Sequence, residues 1–145
     1  MDDLTQFLRA RLDEDDAAAR AASWDEWDSA HWHAHHRAQY DGCWAIIDAA
    51  DDGVITTVDP RASADPGVAA HIARHDPARA LSEVEAKRQM VKLHACAAGH
   101  ECSTLDRHGE IDHCTWVMDS EACTTLRLLA LPYADHPDYR DDWRP

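Results

Sequence analysis

The stretch from His94 to Cys123, HACAAGHECSTLDRHGEIDHCTWVMDSEAC, constrains this chain more than any other. It holds Cys96, Cys102, Cys114 and Cys123, four of five cysteines in all, with His94, His100, His108 and His113 among them. Apolar residues are sparse, so the segment cannot order itself by burying its own side chains. A bound metal is another source of folding free energy. Structural zinc takes four Cys or His ligands in a tetrahedron. The spacing here is C-x5-C-x11-C-x8-C rather than two C-x2-C knuckles. Cys96 and Cys102 form one candidate pair of ligands, and Cys114 and Cys123 the other. His100 and His113, near Cys102 and Cys114, can substitute for a cysteine. Cys123 precedes an apolar helical run, where helix N–H groups stabilise a thiolate. The competing readings are reduced, mostly buried thiols and a redox pair.

The compartment bears on that choice. No apolar run approaches the roughly 18–20 residues needed to span a membrane. The start, MDDLTQFLRARLDEDD, has no basic segment followed by an apolar one, so no secretory leader is expected. A cytoplasmic location follows as the expectation, and there clustered Cys and His favour metal over disulfides. The chain has 145 residues and is expected to form a single domain, 1–145, with its zinc-binding loop at about 94–123. With 28 acidic against 14 basic residues the formal charge is −14. That charge repels phosphate backbones and anionic lipid, which disfavours direct nucleic-acid binding. The expected partner is a protein, another one or a second copy of the chain, and no membrane.

Periodicity supplies the frame. Residues 2–22 read as a helix with Leu4, Phe7, Leu8 and Leu12 on one stripe. Residues 23–44, SWDEWDSAHWHAHHRAQYDGCW, are rich in Trp and His. On a strand His31, His33 and His35 share a face; on a helix His31 pairs with His35 and His33 with His36. Either arrangement can hold a second metal. The plainer reading is Trp24, Trp27, Trp32 and Trp44 packing on the core with solvated histidines between them. Trp44–Asp48 and Val54–Val58 read as a hairpin around Asp51-Asp52-Gly53. Residues 59–67 read as a loop and 67–75 as a short helix. Asp76-Pro77 then starts a longer helix, Asp capping and Pro at the first position, with Leu81, Val84 and Val91 toward the core. After Cys123 a last helix carries core candidates Leu126, Leu128, Leu129 and Leu131 until Pro132. Tyr133, Tyr139 and Trp143 pin the tail to the body.

Three stretches, MDDLTQFLRARLDEDDAAARAA, HIARHDPARALSEVEAKR and TLRLLALPYADHPDYRDDWRP, resemble a family of small uncharacterised actinobacterial and actinophage proteins, domain-of-unknown-function family 6221. The resemblance covers about two-fifths of the chain and rests most on HIARHDPAR and LALPYADHPDYR. It implies a Cys-rich insert ahead of the last helix, with Cys123 just before T-L-R. Members without those cysteines imply that the loop supports the fold rather than an obligatory reaction. The His31–His36 segment departs from the family pattern.

The expected fold is α+β, mainly α, with three to four helices, a small β-hairpin and a Cys/His zinc loop before the last helix. The expected role is a small acidic zinc-stabilised accessory or protein-interaction module of an actinobacterium or its phage. No catalytic or organic-cofactor residues are assigned: phosphate-binding glycine loops, H-E-x-x-H and G-x-S-x-G are absent. One alternative is a zinc-dependent hydrolase or nuclease with Glu101 or Glu110 as base at an open metal position. Another is an acidic nucleic-acid mimic that inhibits a DNA- or RNA-binding protein.

Overall fold

A computed structural model describes residues 3–24, 29–36, 42–50, 54–59 and 65–145. The elements run α1 (Asp3–Ala21), β1 (Trp32–His36), β2 (Trp44–Asp48), β3 (Val54–Val58), α2 (Asp65–Arg74), α3 (Pro77–His94), β4 (His100–Leu105), β5 (Ile111–Val117) and α4 (Thr124–Ala130), with short 3-10 turns after β5 and α4. This is an α+β fold in which helix predominates. The backbone packs as two compact units, Met1–Glu14 with Val84–Pro145, and Asp15–Glu83; the division falls inside α1 and α3. None of the described helices is long and apolar enough to cross a membrane.

In the first unit the stripe of α1 does what its spacing predicts. Leu4, Phe7, Leu8 and Leu12 are buried against Val84 and Val91 of α3, Leu126 and Ala130 of α4, and Trp143 of the tail. Each such side chain contributes about 1.5–3 kcal/mol on burial. The tail is pinned as expected: Phe7 meets Tyr133, Tyr139 and Trp143 at ring-centroid distances of 6.3, 5.9 and 5.2 Å. Arg11, itself buried, lies 5.2 Å over the Phe7 ring and donates to Glu14 at 2.6 Å. Two expected core residues are not core: Leu128 is 45% exposed and Leu131 39%. A helix as short as α4 presents one narrow face. Leu126 and Ala130, one turn apart, occupy it, and the chain tightens into a 3-10 turn at Pro132.

The second unit is an antiparallel meander, β1-β2-β3, with Trp32 opposite Asp48 and Trp44 opposite Val58. Ala69, Ile72 and Ala73 of α2 pack with Ile46, Val58, Trp32 and Ala34. The hairpin strands have the expected bounds; their turn, Asp51–Gly53, lies outside the described residues, as does Trp27. Segment 23–44 contributes a strand. Alternation puts Trp32 and Ala34 on the packed face and His33 and His35 on the other, their rings 4.6 Å apart. The Trp32 indole finds its acceptor, Ser29 O, at 2.8 Å. Helix α2 begins at Asp65, earlier than expected, because Pro66 suits a first turn and does not prolong the preceding loop. Asp76 caps α3 as expected, accepting from Arg79 N at 2.8 Å, and also accepts from Trp32 N at 3.2 Å.

Candidate metal centre

Three local devices converge on one point of the first unit. Helix α3 ends at His94. The chain then turns tightly, Gly99 N donating to Cys96 O at 2.9 Å, with Gly99 at φ +79°. That conformation favours glycine. The space demands it too: a Cβ at Gly99 would sit 2.6 Å from Trp116 Nε1 and 2.8 Å from Val117 O. The turn delivers the chain into β4. Residues two apart on a strand share a face, so His100 and Cys102 point the same way and Glu101 the other. Cys123 is the N-cap of α4, with extended backbone (φ −77°, ψ 114°).

The side chains of His94, His100, Cys102 and Cys123 meet there, their ligand atoms all within 4.8 Å of one another. His94 Nδ1 lies 3.0 Å from His100 Nε2 and 3.5 Å from Cys123 Sγ. Cys123 Sγ lies 3.3 Å from His100 Nε2 and 3.7 Å from Cys102 Sγ. Zinc bonds of ~2.3 Å to sulfur and ~2.05 Å to nitrogen give tetrahedral edges of about 3.8 Å (S···S), 3.5 Å (S···N) and 3.3 Å (N···N). The observed edges fall within about 0.3 Å of these values. A square-planar site would put one ligand trans to each sulfur, at about 4.3 Å or more with the same bond lengths. Cys123 Sγ has all three partners within 3.7 Å, so the set is not planar, and the histidines lie within 4.8 Å of Cys102 Sγ. Two sulfurs and two imidazoles in a non-planar set suit zinc better than copper(II) or nickel(II).

The electrostatics fit the same purpose. Burial pushes the Cys123 thiol up and Cys102 adds to this, against the pull of the Leu126 and Thr125 backbone N–H groups. Burial opposes ionisation at Cys102 as well, but hydrogen bonds from Thr125, Cys123 and the Thr124 backbone outweigh it and bring that thiol below its ordinary value. The two thiols are thus pushed apart, as neighbours sharing one site are. A dication would let both ionise. Burial, and then His100, holds His94 below its usual value, in the neutral form a metal needs.

Of the residues the sequence nominates, His100, Cys102 and Cys123 come together. The other three do not join them. Cys96 is exposed in the turn before β4. Cys114 is exposed, 3.4 Å from Ser103 Oγ. His113 is exposed beside Asp112 at 2.8 Å and Thr104 Oγ1 at 3.1 Å. The fourth member of the group is His94, which the cysteine spacing leaves out; its signal is the run H-x5-H-x-C across a helix end, a glycine turn and a strand. The expected loop is a hairpin, β4 paired with β5, Cys102 opposite Thr115 and Ser103 opposite Cys114. Asp106 builds its turn by accepting from His108 N and Glu110 N at 2.8 and 3.0 Å. Glu101 and Glu110, the candidate bases of a catalytic zinc, are exposed on the outward face and in the turn. Among the described residues no other Cys, His, Asp or Glu set has such geometry, the histidines of β1 included.

The chain matches no curated protein and no solved structure. Residues 1–145 match a family described as one of unknown function, DUF6221, and the chain belongs to that family.

Proposed function

We propose that this protein is a zinc-clasped, non-enzymatic accessory module. Its metal holds the end of α3, the β4–β5 hairpin and the start of α4 together. The single observation that carries this reading is the contact set around Cys123 Sγ, with His94, His100 and Cys102 all within 3.7 Å. Four protein ligands close the coordination shell and leave no position for water or substrate. Glu101 faces away from the four ligand atoms by strand parity, which weighs against the hydrolase alternative. A module of this kind acts through its surface, so a protein partner, or a second copy, is the expected target. The charge of −14 favours a basic one. The motifs HIARHDPAR and LALPYADHPDYR support a setting in an actinobacterium or its phage. The test is elemental analysis of purified protein, followed by replacement of the metal with cobalt(II). About one zinc per chain and the absorption of a tetrahedral thiolate-bound cobalt are expected. Octahedral cobalt, or a cobalt site that takes up azide as a further ligand, would overturn the closed-clasp reading.

A further inference from the structure

The four candidate ligands include only two sulfurs, and these are neighbours. Cys102 Sγ and Cys123 Sγ lie 3.7 Å apart, although 21 residues separate them in the chain. A disulfide has sulfurs ~2.05 Å apart, so an approach of about 1.7 Å would close one. Both are free thiols. The other thiols are not rivals within the cluster: Cys96 and Cys114 are exposed outside the group, and Cys43 belongs to the second unit. A disulfide sulfur is no longer the thiolate that zinc binds. With both sulfurs joined, His94 and His100 alone would remain, and structural zinc takes four ligands. Disulfide formation and metal retention therefore exclude each other at this site.

We infer that the pair is a peroxide-sensitive release for the clasp, in which hydrogen peroxide joins Cys102 to Cys123 and expels the zinc. The inference rests on the zinc reading above. Cys102 is the sulfur that peroxide meets first, since it keeps 7% exposure and Cys123 has none. Its thiolate attacks the O–O bond, takes one oxygen as a sulfenic acid and releases hydroxide. Cys123 needs no exposure, because it attacks that sulfur from inside the cluster; the S–S bond forms and a second hydroxide leaves. The sulfurs supply the electron pair that reduces the peroxide, and solvent protons turn both hydroxides into water. The fold would respond unevenly. The disulfide would keep β4 tied to the start of α4, whereas the end of α3 would lose its hold through His94. Chelation differs, because it would free all three elements at once.

The experiment treats the reduced full chain with hydrogen peroxide after its zinc content has been measured. A chromogenic chelator follows zinc release, and peptide mass mapping follows the thiols. Zinc should leave in step with a Cys102–Cys123 disulfide, and dithiothreitol with added zinc should restore the starting state. A variant carrying Cys96→Ser and Cys114→Ser should respond at an unchanged rate, since its exposed thiols take no part. In hydrogen exchange the oxidised protein should keep the β4 and β5 protection that chelation strips, and lose protection at the end of α3. Absence of zinc before peroxide is added would overturn the clasp and this inference together. Zinc present at the start but retained through oxidation would overturn this inference alone. So would zinc lost with Cys102 carried to the sulfinic acid in place of the disulfide, or a response that disappears in the double variant.

Discussion

Replacing Cys123 with serine tests the clasp at its centre, because its sulfur meets all three other ligands. In the proposed clasp the metal would join His94 to Cys123, 29 residues apart. Treated as a cross-link, closure of a loop that long removes about 3.6 kcal/mol of unfolded-chain entropy at 25 °C. For a chain near 150 residues each kcal/mol moves the melting temperature by about 2–4 °C, so loss of the clasp should lower it by about 7–14 °C. The assay is differential scanning calorimetry alongside elemental analysis. Cys123→Ser should carry no zinc and melt lower by that amount. Wild type treated with chelator should melt where the variant does, and chelator should leave the variant unmoved. Cys114→Ser is the control: its thiol faces outward beside Ser103, so zinc and melting temperature should both persist. A Cys123→Ser protein that keeps one zinc per chain, or a Cys114→Ser protein that loses it, refutes the assigned ligand set.

Gly99→Ala should cost about 2–4 kcal/mol in urea denaturation, since positive φ and a steric conflict with backbone coincide there. Gly109→Ala, also at positive φ but with nothing within 4 Å, should cost only about 1 kcal/mol; equal costs would contradict the close packing at Gly99. Trp143→Ala should lose about 3–5 kcal/mol. Trp143→Phe should lose much less, because Trp143 Nε1 is buried without an acceptor among the described residues; calorimetry on both variants checks this. Burial and His100 hold His94 below its ordinary 6.5, so the folded chain binds fewer protons than the unfolded one. Stability from this group is complete above 6.5 and is lost as pH falls through the lower folded value. Chelated protein should accordingly lose stability on acidification from about pH 7.5 to about 5.5, and His94→Gln should flatten that dependence.

Much of the frame is legible in the sequence because it rests on local rules. The Leu4, Phe7, Leu8, Leu12 stripe, the Asp76-Pro77 start of α3 and the β2–β3 strands each carry their own periodic or capping signal. The metal centre is half legible, for a physical reason. Composition marks the 94–123 region, but ligand identity depends on strand parity and register. Ser103 stands opposite Cys114, so Cys114 shares the outward face, whereas Cys102 stands opposite Thr115 on the inward one. A slip of one residue would exchange them, and nothing in the spacing of cysteines fixes that register. His94 is hidden differently. In the last turn of α3 it passes for an ordinary basic residue at a helix C-terminus. Leu128 and Leu131 mislead because apolar character alone does not tell a short helix which side will be covered.

The hairpin is where fold and metal are most tightly joined. A lone two-stranded sheet is marginal in water, and β4–β5 is a two-stranded sheet. Its outer side gives little help: Ile111 and Trp116 are 75% and 63% exposed. Inward, Val117 and Cys102 are its contributions to the buried core. Ordering each residue costs about 1–2 kcal/mol of backbone entropy, while burying a side chain such as Val117 returns about 1.5–3 kcal/mol. On the clasp reading the hairpin would therefore depend on His100 and Cys102 being held, through the metal, by His94 and Cys123. The helices do not, since the α1–α3–α4 core is apolar and continuous without them. Removal of metal should act locally before it acts globally. In hydrogen exchange, chelation should strip protection from amides of β4 and β5 while Leu8, Leu12 and Val91 remain protected. Loss of protection that is uniform across α1, α3 and the hairpin would show that the clasp supports the whole unit at once, and the local account would be wrong.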